Sequence, residues 1–182
     1  MNSFQGCFLV AARHQLDPNF AKAAILVIEH ADRGAFGVIV NDPCKESGGF
    51  RPGDLAGRLS SRIKLFFGGP VTGPLMAVHT RACFGEREFL PGVFFSGKEE
   101  NVLRLMRRGE QPCKIFTGYA GWGPEQLEYE VEQGVWRIVP ATPEQIFLTN
   151  SDLWEQLSRQ VSRLQLRTMF NIRHIPADPL LN

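Results

Sequence analysis

Within the first 40 residues the chain carries three short apolar runs, 7–12, 24–30 and 35–40, broken by Asp17-Pro18-Asn19 and by Asp32-Arg33-Gly34. Runs of this length, rich in β-branched and aliphatic side chains and bounded by turn formers, fit buried strands. The link between the second and third runs is short enough to fold them back as an antiparallel hairpin. A fold built around a sheet follows.

The same reading extends along the chain. Residues 42–53, with Pro43, Gly48, Gly49, Pro52 and Gly53, form the most linker-like stretch, too brief to separate two cores, and a short helix fits 54–59. Strands are expected at 63–67, 75–79, 93–95, 114–117 and 135–139. Ser96-Gly97-Lys98-Glu99 fits a capping box ahead of a helix that buries Val102, Leu103 and Met106 and ends at Gly109. Residues 124–132 suit a helix with Pro124 in its first turn, and Thr142-Pro143-Glu144-Gln145 repeats the capping pattern for a short one. A long helix over 151–166 places Leu153, Trp154, Leu157, Val161 and Leu164 on one side. Pro176 and Pro179 make 168–182 an extended C-terminal tail, docked on the body or in a dimer interface rather than continuing the helix. The 182 residues read as one domain, 1–182.

Composition narrows the class. With 43% hydrophobic residues, 14 Phe and 3 Trp, the chain can bury a core, which excludes an intrinsically disordered protein. The 20 Lys and Arg against 19 Asp and Glu leave a net charge of +1, so no uniform field points to nucleic acid or an anionic membrane. Cys7, Cys44, Cys83 and Cys113 are too widely spaced for a metal knuckle, and no cofactor or metal is expected. With reduced thiols and no leader-like apolar run, the expected location is cytoplasmic.

Several separated segments together resemble the AlgH/YqgE family of bacterial proteins. They are Asp17-Pro18-Asn19-Phe20; Glu29-His30 with Gly34-Ala35-Phe36-Gly37 and Asn41-Asp42-Pro43; Gly68-Gly69-Pro70-Val71 with His79; and Gly118-Tyr119-Ala120-Gly121-Trp122 leading to Gln126-Leu127-Glu128. They span roughly residues 7–148 in the family's order. The resemblance implies an α/β domain of the α+β type, in which a bifurcated, mostly antiparallel sheet curls into a pseudo-barrel with flanking helices. The family carries a transcriptional-regulator label and no defined biochemical activity. Asp42 stands where members usually have a basic residue, and Glu125 where they often have glycine.

The chemistry of these segments is mostly that of backbone shaping. Gly118 to Gly123 reads as a strand-to-helix loop, either a tight turn or an anion loop, with Glu125 and Glu128 opposing a phosphate. Glu29 and His30 are adjacent on a strand and point to opposite faces, so they do not form an acid–base pair by themselves. The serines lack a nucleophile-elbow context. Arg159, Arg163 and Arg167 recur every four residues as a stripe that fits a solvated helix face or a weak phosphate grip.

The reading is a non-enzymatic module that binds a small ligand or a protein in a regulatory role. Its expected ligand-binding residues are Asp17, Asn19, Glu29, His30, Asn41, Gly68, Gly69, Tyr119, Gly121, Trp122 and Gln126, meeting near one end of the sheet. The alternatives are a small-molecule enzyme using Glu29, His30 or Tyr119, and a regulator contacting DNA through the arginine stripe. Neither a membrane nor nucleic acid is the expected partner, and the C-terminal tail offers a route to a homo-oligomer.

Overall fold

The computed structural model describes residues 3–44, 64–109, 112–148 and 152–170. Its first sheet grows from the N-terminal runs: β1 (Cys7–Ala11), β2 (Ala24–Ala31) and β3 (Gly34–Ile39). Its second holds β4 (Leu65–Phe67), β5 (Met76–His79), β6 (Arg87–Leu90), β7 (Val93–Ser96) and β8 (Cys113–Thr117). The chain then returns to the first sheet as β9 (Ala120–Trp122) and β10 (Trp136–Pro140). The strand orders are β10-β1-β2-β3-β9 and β4-β8-β5-β7-β6. Every pairing is antiparallel except β4 with β8.

Residues 24–28 of β2 are all buried, as a continuous apolar run requires when both faces of a strand are covered. One core draws Phe8, Leu26, Val38 and Trp136 from the first sheet and Phe66, Val78, Val93 and Phe116 from the second. A smaller core lies between the second sheet and α1 (Glu99–Arg108), around Phe84, Val102, Leu105, Met106 and Ile115. Three further helices complete the described residues: α2 (Gln126–Glu132), α3 (Pro143–Phe147) and α4 (Leu153–Phe170). Leu153, Trp154 and Leu157 of α4 are buried, whereas Leu164 is 47% exposed, so the helix packs through its first half.

The mixed, mostly antiparallel architecture agrees with the sequence reading, and the structure corrects several details. The two sheets are open, joined at a seam rather than closed as a pseudo-barrel. At that seam Ile39 N–H donates to Gly68 O at 2.8 Å, and Val71 and Tyr119 exchange backbone hydrogen bonds of 3.0 Å. Close approach there depends on glycine: a Cβ on Gly118 would sit 2.3 Å from Gly69 O, and one on Gly68 would sit 2.2 Å from Gly118 O. Gly118 to Gly123 is accordingly not a strand-to-helix loop, because β9 occupies its middle.

Helix termini differ as well. Ser96 does not cap α1, because its hydroxyl is buried in the second sheet. Glu86 replaces it, accepting from Lys98 N–H at 2.8 Å, from Gly97 N–H at 3.3 Å and from the Asn101 amide at 3.0 Å. Burial opposes the charge on Glu86, but these donors at the helix N-terminus hold its pKa below the ordinary value. The capping box at Thr142 and Gln145 is present. α2 starts at Gln126, since Glu125 takes a left-handed conformation (φ 60°) that leaves Pro124 outside the helix. α4 runs on to Phe170, so 168–170 are helical rather than tail, because proline acts on its own turn and the nearest lies further on at 176. The expected helix at 54–59, the start of the strand at 63, most of the 42–53 loop and residues 171–182 lie outside the described residues.

Candidate functional site

Register separates the residues expected to share one cleft. Asn41 anchors the start of β2, its Oδ1 accepting from Ala24 N–H at 2.8 Å. His30 lies six residues further along the same strand, about 20 Å away. The expected site residues fall into three groups.

The first group surrounds His30. Its ring is 4% exposed, stacks on Phe4 at 4.9 Å, accepts from Phe4 N–H through Nδ1 at 3.0 Å and faces Glu128 Oε1 through Nε2 at 3.0 Å. An acceptor Nδ1 places the proton on Nε2, which donates to the carboxylate. Glu29 points the other way and pairs with Arg87 at 3.0 Å, as strand alternation requires. Beside His30, β9 and α2 carry Gly121, Trp122 and Gln126. The Trp122 and Trp136 indoles both donate to Glu130 Oε2, at 2.9 and 2.7 Å, while the Gln126 amide donates to Oε1 at 2.9 Å. Glu130 thus fastens α2 to the sheet.

The second group is the glycine seam itself. Gly68, Gly69 and Tyr119 meet there through backbone, and the Tyr119 ring packs on Phe36 at 5.3 Å. The third group shapes the β1–β2 connection. Asp17 accepts from Asn19 N–H at 2.9 Å and caps a 3-10 turn at Pro18–Phe20. Phe20 then packs edge-on against Trp136 at 5.6 Å. Asn41 Nδ2 donates to Lys22 O at 2.9 Å, holding Lys22 in a left-handed conformation (φ 56°) that a lysine rarely adopts. Asn41 therefore holds the Lys22 backbone in the β1–β2 connection.

Two buried polar clusters were not legible as such. His79 and Ser96, both 0% exposed, face each other at 2.9 Å. Arg81 N–H donates to His79 Nδ1 at 3.1 Å, so Nε2–H donates to Ser96 Oγ, which in turn donates to Phe84 O. The proton runs toward the serine, the reverse of what a general base requires. Burial pushes His79 down to about 4, against the pull of Glu86. Lys114, 2% exposed on β8, donates to Val40 O at 2.8 Å and Leu148 O at 2.6 Å and lies 4.5 Å from the Phe66 ring centroid. Burial brings it to about 8. An apolar strand offers no sequence sign that its lysine faces inward.

Among the described residues, three cavities lie along α4. One of about 520 Å³ lies between α4 and the β1–β2 connection, lined by Arg13, Lys22, Trp154, Glu155, Ser158 and Arg159. A second, about 600 Å³, shares Arg159 and reaches Gln145 and Arg163, and a third, about 260 Å³, shares Arg13 and Ser158 and reaches His14 and Arg137. Of the expected site residues none lines these three cavities; Asn41 only bonds the backbone of Lys22, which lines one. The Arg159 member of the arginine stripe lines two of them and sits 3.7 Å from Glu155. None of the four cysteines is joined in a disulfide, and burial, then Asp42, raises the pKa of the Cys44 thiol. Among the described residues, no three His, Cys, Asp or Glu come together to hold a metal, and no helix is long and apolar enough to cross a membrane.

Comparison with known proteins bears on the whole chain. A UPF0301 protein of Chlorobaculum tepidum is 35% identical, covering 86% of this chain and 84% of its own length. One from Streptomyces coelicolor is 33% identical over 100% of this chain and 97% of its own. The solution structure of the AlgH protein from Pseudomonas aeruginosa superposes with a TM-score of 0.70 at 26% identity, covering 96% of this chain and 97% of that one. The AlgH-like family matches residues 8–164, and the chain belongs to it.

Proposed function

We propose that the chain is a non-enzymatic binding module in a regulatory role, taking a small ligand or a protein segment in the cavities along α4. One observation carries the reading. Cavities of about 520 and 600 Å³ that share Arg159 lie within the range of small-molecule sites, roughly 300–1,000 Å³, and are walled mostly by polar side chains, whereas Glu29, His30, Asn41 and Tyr119 are engaged within the protein. The enzymatic alternative is weaker because Glu29, His30 and Tyr119 are committed to Arg87, Glu128 and Phe36 in different places. Four cysteines without a disulfide suit a reducing, cytoplasmic setting.

Untargeted mass spectrometry of metabolites that co-purify with the full chain tests the reading. The expected result is one compound enriched near stoichiometry over an unrelated protein purified alongside. A turnover product formed from that compound would overturn the non-enzymatic assignment.

A further inference from the structure

Charge is not evenly spread over this nearly neutral chain. Five of its 20 Lys and Arg, and one of its 19 Asp and Glu, line the three cavities along α4. The cavity region is therefore net positive, and the rest of the chain is net negative. The middle cavity concentrates this, with Arg13 and Lys22 from the β1–β2 connection facing Arg159 of α4 across about 520 Å³ and Glu155 as its one carboxylate.

From this concentration, and resting on the binding reading above, we infer that the middle cavity is a site for a small diphosphate ester of nucleotide size. Three cations and the Ser158 hydroxyl offer more donors than a single carboxylate can use, and a diphosphate presents enough oxygens to engage them all. Trp154 supplies an apolar wall for the organic part of the ligand. Part of the wall is held before any ligand arrives: Trp154 Nε1–H donates to Ala11 O at 2.9 Å, and the Asn41 amide holds the Lys22 backbone. Lys22 Nζ stands 5.8 Å from the Trp154 ring centroid, at the cavity wall. Such preorganisation lowers the ordering cost of binding. A long polyanion fits less well, since it needs a basic track and outside the cavities acidic residues outnumber basic ones.

The test is calorimetric titration of the full chain with inorganic pyrophosphate and with ADP, in low salt and at physiological ionic strength. Pyrophosphate is expected to bind one to one, with ADP tighter and both weakened by salt. Lys22→Gln and Arg159→Gln alter exposed side chains, so both should fold, checked by thermal melting, and each should weaken pyrophosphate about tenfold. Glu155→Gln removes the opposing charge and should tighten it, a change of sign that general loss of structure cannot produce. Pyrophosphate binding indifferent to all three substitutions would overturn the assignment. An uncharged co-purifying metabolite together with no pyrophosphate binding would overturn the diphosphate class and leave the binding reading standing. A protein that retains nothing and ignores pyrophosphate would overturn both. Tighter capture of a labelled oligonucleotide than of ADP would replace the small ligand by nucleic acid.

Discussion

Glu130→Leu removes an acceptor that two tryptophans share. Trp122 and Trp136 donate to its Oε2, and they are 8% and 2% exposed, so neither N–H can turn to bulk water when the carboxylate goes. A buried donor left without an acceptor costs about 1–3 kcal/mol, which puts the pair at about 2–6 kcal/mol. Gln126 is exposed and rehydrates, and a half-buried leucine recovers part of the loss through its own burial, so the net destabilisation is about 3 kcal/mol. Glu130→Gln keeps a carbonyl oxygen within reach of both indoles and loses only the charge, at about 1 kcal/mol. Urea unfolding followed by tryptophan fluorescence and far-ultraviolet circular dichroism reads both variants. With a slope of about 2 kcal/mol per molar, the leucine variant should lose about 1.5 M in midpoint and the glutamine variant about a third of that. A leucine variant that unfolds with the wild type, or a glutamine variant that falls as far as leucine, would refute the shared-acceptor argument.

Other outcomes follow from the buried groups and the seam. Lys114 titrates at about 8 in the folded chain against 10.5 in the unfolded one, so between these values the unfolded state holds the extra proton and stability rises with pH, by about 3 kcal/mol. Lys114→Met should abolish that rise, read as the wild-type-minus-variant difference in urea midpoint across the window. His79 titrates at about 4 against 6.5 unfolded, so stability is complete above 6.5 and declines as pH falls toward 4, by up to about 3 kcal/mol. His79→Gln should flatten that acid limb while lowering stability at neutral pH. Gly118→Ala forces a side chain onto Gly69 O at a φ of +71°, and should cost more than about 3 kcal/mol in thermal or urea melts.

Most strands could be read from local patterns, because residues 24–28 are apolar without alternation and turn formers bracket each run. β9 was hidden by its composition: Ala120-Gly121-Trp122 lies in a glycine-rich stretch whose glycines serve backbone approach across the seam, a long-range demand that a local pattern cannot display. Ser96 was misleading for a related reason. Its spacing to Glu99 matches a capping box, but His79 and Phe84, distant in sequence, claim its hydroxyl, and Glu86 from the β5–β6 connection takes over the cap. The cavity residues left still less trace. Arg13 and Lys22 stand between strands like ordinary surface charges, and only the packing of α4 beside the β1–β2 connection sets them around one cavity with Arg159. The motif residue Asn41 was recognisable, while its effect on Lys22 needed the backbone.

The central claim is that ligand is bound along α4 and not at the family-motif segments. Backbone amide chemical-shift mapping by NMR of the full chain titrated with pyrophosphate separates the two directly. The account predicts saturable shifts at Arg13, Lys22, Ser158 and Arg159, with Gly69, Tyr119 and His30 unmoved. Shifts centred on Gly69, Tyr119 and His30, with the α4 amides silent, would contradict it.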